Sequence, residues 1–171
     1  SANPFGYISP TTAQHVYDQL QGKIPYILDG GPCRVGVEST IVGFEEDEIF
    51  IYRLGGLTLE DIRKVAPHCH LKLNNSSNPI APGMLKSHYA PKHPFYLGEI
   101  DALIRQFAGR RIGVLSFDKK YADVEFVKVN EILSVDGNLD AAAVKLFSAM
   151  RVLDASLVDV IVGEYVPDVG I

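Results

Sequence analysis

Short apolar runs at Phe95–Leu97, Ile112–Phe117, Val124–Val129 and Val158–Val162 alternate with amphipathic stretches at Ile100–Ala108 and near Leu139–Leu153. Strands that read apolar along their length, set between helices, imply a parallel sheet covered on both faces. Residues 95–171 therefore read as a small Rossmann-like α/β unit. In its long helix Leu139, Ala142, Ala143, Leu146, Phe147, Met150 and Leu153 fall on one stripe and are assigned to the core. The unit lacks a Gly-x-Gly-x-x-Gly turn after its first strand, which argues against a dinucleotide site of its own. The sequence stops at Pro167–Ile171, where another helix is expected to cover the layer.

Residues 1–73 read as a second α/β piece. Ser9-Pro10 suggests an N-cap with proline at the first helical position, and Ala13, Val16, Tyr17 and Leu20 share a face up to Gly22. Tyr26–Leu28, Thr40–Phe44, Ile49–Arg53 and His70–Leu73 read as strands, with the acidic Glu45–Glu48 at a solvated hairpin tip. Thr58 is a cap with Asp61 three residues on and a Leu57–Ile62 staple, opening a helix that Pro67 ends. Between the two units, residues 74–94 hold four prolines, two lysines and no acidic residue, and read as a linker or long loop.

The 171 residues are 47% apolar and 22% charged, which excludes a disordered or collagen-like chain. A net charge of −5 argues against indiscriminate binding to a polyanion. No apolar run reaches the ~18 residues of a membrane span and no signal peptide is evident, so the cytoplasm is expected. Cys33 and Cys69 read as reduced thiols, and His68-Cys69-His70 lacks further ligands at zinc spacing. Position 1 is Ser, so the chain is processed or begins inside a longer one.

Four segments bear chemistry. Ser1, Asn3, Ser9, Thr11 and Thr12 gather hydroxyls and a carboxamide at a helix start, suited to an anion such as phosphate; the alternative is a loop whose Ser9 caps its own helix. Asp29–Thr40 combines three glycines with Ser39 and Thr40, either a ligand-approaching loop or a tight turn, and it is no Walker loop. Arg53, beside Gly55 and Gly56, is either a phosphate clamp or a surface arginine. Pro82–Pro91, with Lys86, His88 and Tyr89, has the composition of a lid.

Taken in order, Ser-Ala-Asn-x-Phe-Gly-x-x-Ser-Pro-Thr-Thr-Ala-x-His-Val, Ile-Leu-Asp-Gly-Gly-Pro-Cys-x-x-Gly-x-Glu-Ser-Thr-Ile-Val, Arg-x-Gly-Gly and Pro-Gly-Met-x-x-x-His-Tyr-x-Pro closely resemble the two-domain form of the YrdC-like L-threonylcarbamoyladenylate synthase family. The resemblance implies the C-terminal half of a twisted α/β catalytic domain over residues 1–73, a linker or lid over 74–94 and a Rossmann-like domain over 95–171. It implies that L-threonine, bicarbonate and ATP with Mg²⁺ become threonylcarbamoyl-AMP and pyrophosphate, and that a downstream transferase uses the product to modify tRNA. Ser1, Asn3, Ser9, Arg53 and Tyr89 then correspond to ATP-binding residues, and Ser39 to the threonine pocket. No covalent nucleophile is needed, so no catalytic residue is named. The family's Lys-x-Arg pair is absent, and the chain alone is expected to be inactive. The competing reading is a non-catalytic binding or regulatory module acting with another chain or RNA.

Overall fold

The computed structural model describes residues 2–72 and 89–167. Ser1, Leu73, most of the linker with Lys86 and His88, and residues 168–171 lie outside the described residues. In chain order the elements are α1 (Ala13–Leu20), β1 (Ile41–Glu45), β2 (Glu48–Arg53), α2 (Leu59–Val65), β3 (His70–Leu71), β4 (Phe95–Leu97), α3 (Ile100–Gln106), β5 (Ile112–Ser116), β6 (Val127–Ile132), α4 (Leu139–Ala155) and β7 (Val160–Gly163).

In the first sheet, β1 and β2 form an antiparallel hairpin that closes at Glu45 and Glu48, and β2 runs parallel to β3 across α2. Thr58 caps α2, accepting from the Asp61 amide at 3.1 Å and donating to its carboxylate at 2.9 Å. That helix drops Ile62 onto Ile51 and Cys69. Burying Cys69 turns His68 and His70 outward, which leaves the two imidazoles on a solvent face.

Two expectations for this half change. The cap of α1 is Thr12, which accepts from the His15 amide at 3.2 Å, rather than Ser9. Ser9 is drawn away because its carbonyl and hydroxyl are both engaged elsewhere. Tyr26–Leu28 forms no strand: Tyr26 and Leu28 are 89% and 99% exposed, and no described strand offers that run a hydrogen-bonding ladder.

The second sheet is entirely parallel, in the order β4-β7-β5-β6. Its side chains alternate as strand geometry requires. Ile112, Val114, Val160 and Val162 meet Ile100, Leu103 and Ile104 of α3, whereas Leu115 and Ile161 meet Ala142, Ala149 and Leu153 of α4. The strand expected at Val124–Val129 starts later, at Val127, because Val124–Phe126 folds into a turn with Phe126 at φ 69°.

The long helix has two buried faces, where periodicity suggested one core stripe. Ala142, Leu146, Ala149, Met150 and Leu153 pack on the second sheet. Ala143, Phe147, Arg151 and Asp154, spaced four, four and three residues apart, share another face and are also buried. That second face receives the N-terminal loop.

Candidate functional site

Arg53 closes β2, and its guanidinium gathers the neighbouring polar groups. Nε donates to the Ser39 carbonyl at 2.9 Å, Nη2 to Ser39 Oγ at 3.1 Å, and Nη1 to the Tyr89 hydroxyl at 2.9 Å. Glu38 Oε2 lies 3.8 Å from Nη2. The other carboxylate oxygen of Glu38 accepts from Ser9 Oγ. The Glu38 carbonyl accepts from the Gly56 amide at 2.9 Å, so the strand end and the Glu-Ser-Thr stretch are pinned together. Ser9, Ser39, Arg53 and Tyr89, distant in sequence, thus share one network whose junction is Glu38.

Tyr89 sits at φ 57° with its ring 5.6 Å from that of Phe147 on α4. Burial, and secondarily the Glu38 carboxylate, push its phenol pKa up, so the hydroxyl stays protonated at neutral pH. Ser9 and Glu38 also line a hollow of about 140 Å³, together with Gly36 and Phe147. Phe147, read from the sequence as core, is therefore a wall of this site as well.

Asn3 enters the network through the main chain. Its carboxamide donates to the Pro4 and Tyr7 carbonyls at 3.1 and 3.0 Å and shapes the loop. Tyr7 pairs with Ala90, whose amide donates to the Gly6 carbonyl at 3.0 Å, one residue beyond Tyr89. Thr12 is occupied as a cap, and Thr40 bonds to the Leu57 main chain. Thr11 is buried, with its amide 3.2 Å from His15 Nδ1 and its carbonyl accepting from Cys33 N–H. Ser1 lies outside the described residues.

Glu38 stands in the Glu-Ser-Thr motif, and residue type alone assigns it no role there. The signal was its position beside Ser39. What the arrangement offers chemically is a positioned guanidinium, hydroxyls and a half-buried phenol around one carboxylate, a setting that orients anions rather than one that supplies a nucleophile.

The family described as "Threonylcarbamoyl-AMP synthase, C-terminal domain" matches residues 57–171. The chain belongs to that family. A second family, described as "Telomere recombination", matches residues 1–55. The threonylcarbamoyl-AMP synthase of Bacillus subtilis is 38% identical over all of this chain and 52% of its own length. That of Pyrococcus abyssi is 36% identical over all of this chain and 53% of its own length. The crystal structure of P. abyssi Sua5 complexed with L-threonine superposes with a TM-score of 0.86 at 35% identity, covering 98% of this chain and 52% of that one. The chain spans about half the length of the curated relatives it matches. The parallel α/β architecture expected from the sequence is that of this family's solved structures. No described helix is long and apolar enough to cross a membrane.

Proposed function

We propose that this chain is part of an enzyme that makes threonylcarbamoyl-AMP and pyrophosphate from L-threonine, bicarbonate and ATP in the cytoplasm, for a downstream transferase that modifies tRNA. Residues 1–73 complete a catalytic domain, residues 74–94 link, and residues 95–171 form the second domain. The observation that carries this reading is the Arg53 network, because it joins residues of four motifs that resemble the family's nucleotide and threonine sites. L-Threonine is named in the description of the P. abyssi structure, which supports it as a substrate here.

In this reaction the threonine amine and bicarbonate combine with loss of water to give a carbamate. A carbamate oxygen then attacks the α-phosphorus, and the bond to pyrophosphate breaks. The transition state spreads negative charge over phosphoryl oxygens, so the protein's work is alignment and charge neutralisation. Arg53 supplies the positive charge. Ser39 fixes its plane at two points and is the residue assigned to the threonine side of the site. Ser9 and Asn3 shape the nucleotide side of the site, and Tyr89 covers it. Mg²⁺ enters on the ATP phosphates as part of that substrate.

The test uses the intact enzyme with the three substrates, following pyrophosphate release and identifying the adenylate by mass spectrometry. Omitting bicarbonate should abolish the product. Arg53→Ala should lower turnover about 10²-fold or more, the scale seen on losing one preorganised charge-stabilising group. Unchanged pyrophosphate release in Arg53→Ala would refute the assignment.

A further inference from the structure

Arg151 and Asp154 lie one turn apart on the second face of α4 and are 9% and 6% exposed. Buried charged groups on a helix demand partners. Arg151 donates from Nε to the Ser9 carbonyl at 3.1 Å, from Nη2 to the Ile8 carbonyl and, at 2.9 Å, to Gln19 Oε1. Its guanidinium also stands 5.1 Å from the centre of the Tyr7 ring. Asp154 accepts from the Tyr7 hydroxyl at 2.6 Å and from the amides of Lys92 and His93 at 2.7 and 3.0 Å, with His93 Nδ1 a further 3.0 Å contact.

Apart from the Arg151 bond to Gln19 on α1, these bonds run to two stretches. One is the stretch ending in Ser9, whose hydroxyl meets Glu38. The other is the stretch following Tyr89, whose hydroxyl meets Arg53. Apolar packing alone would hold α4 against the loop without fixing the direction of either stretch. Directional bonds to the carbonyls on one side and the amides on the other fix both.

We propose that Arg151 and Asp154 are positioning residues through which the C-terminal α/β unit aims Ser9 and Tyr89 at the nucleotide. The inference rests on the reaction proposed above and gives the second unit a task in it. The protonation states agree. Burial pushes the Asp154 carboxyl up, but the Tyr7 hydroxyl and the bonds from His93 and Lys92 outweigh it and hold the pKa below the ordinary carboxylate value.

The test compares Tyr7→Phe, Arg151→Lys and Arg151→Met with the parent in the intact enzyme. It measures kcat, the KM for ATP and for L-threonine, melting temperature, and ATP affinity by calorimetry. Arg151→Met should raise the KM for ATP about tenfold and Tyr7→Phe about threefold, with kcat and the threonine KM within about twofold. Arg151→Lys, which retains charge but not the fork, should fall between Arg151→Met and the parent. A merely structural role would lower the melting temperature or kcat and leave the ATP KM untouched, and that result would overturn the proposal. If Arg151→Met fails to fold, Tyr7→Phe, which removes a single hydroxyl, decides by the same criterion. A parent that binds ATP yet makes no threonylcarbamoyl-AMP would sink the reaction assigned above, and the calorimetric comparison would then decide the positioning role separately.

Discussion

Replacing Gly36 with alanine tests whether the seating of α4 on the Asp29–Thr40 loop is as tight as the structure implies. Gly36 has φ +79°, and a Cβ built there overlaps Val144 Cα, the Val144 carbonyl and the Ala143 carbonyl, all main-chain atoms of α4. Backbone cannot rotate aside as a side chain does. Restoring ordinary contact of roughly 3.5–4 Å requires the loop and helix to part by more than about an ångström. The Cys33 amide and Glu38 tie this loop to the N-terminal stretch, so such a displacement also breaks the Arg151 bonds to the Ile8 and Ser9 carbonyls, each worth about 1.5–3 kcal/mol for a charged donor. Adding about 1 kcal/mol for alanine at positive φ gives a loss of about 4 kcal/mol or more. Gly31 supplies the control: it has φ +85° with no described atom within 4 Å of the built Cβ, so Gly31→Ala should cost only the conformational part, about 1 kcal/mol. Urea unfolding followed by far-ultraviolet circular dichroism measures both, and hydrogen exchange at Ile8 and Ser9 reports whether the loop has lifted. If Gly36→Ala and Gly31→Ala differ by less than about 0.5 kcal/mol, the reasoning about this contact is wrong.

Tyr89→Phe keeps the ring against Phe147 and removes the hydroxyl that accepts from Arg53, so ATP affinity in the intact enzyme should fall about fivefold, the worth of roughly one net hydrogen bond; calorimetry checks it, and an unchanged affinity argues against that contact. Ellman's reagent should modify exposed Cys33 in the native protein and buried Cys69 only after unfolding. Equal rates for the two thiols would contradict the packing of Cys69 on Ile51 and Ile62. Burial and the Asp154 carboxylate raise the Tyr7 phenol to about 12, against the opposing pull of Arg151, with Lys92 Nζ 5.4 Å from the ring centre. Because the folded state favours the neutral phenol, this contribution is complete below the ordinary tyrosine pKa of about 10 and is lost as pH rises through 12. Melting temperatures from pH 9 to 12 should therefore fall more steeply for the parent than for Tyr7→Phe, and parallel curves would refute it.

The second sheet was legible because its information is local. Ile112–Ser116 and Val160–Gly163 are buried at every position, so their unbroken apolar character reports burial on both faces directly. Thr58 was legible for the same reason, since its bond spans three residues. The start of α1 was not, because whether Ser9 or Thr12 caps it depends on Arg151, 142 residues from Ser9. Tyr26–Leu28 has strand composition, but a strand is defined by its neighbour and no described neighbour supplies one. Arg53 and Ser39 stood out by residue type beside glycines. Glu38 did not, because a carboxylate in an otherwise anion-binding pattern reads as a surface charge until the Ser9 hydroxyl and the guanidinium appear on either side of it.

Arg151 and Asp154 show where periodicity stops informing. A helical pattern assigns charged positions to solvent, and a helix buried on two faces breaks that rule only when something beyond its own sheet supplies polar partners. Here the partners are the side chains of Tyr7, Gln19 and His93 together with main-chain groups of Ile8, Ser9, Lys92 and His93, and the main-chain ones leave no signature in the residue types that provide them. The same fact bears on how the site is divided. Ser9, Glu38, Ser39 and Arg53 all fall within residues 1–55, whereas Tyr89, Phe147, Arg151 and Asp154 fall within 57–171. The first group carries the charge and hydroxyls; the second supplies the wall, the covering phenol and the bonds that hold both in register. Neither stretch contains the complete arrangement, so the first α/β unit relies at the site on the linker residue Tyr89 and on α4 of the second unit, and not merely on continuity of the chain.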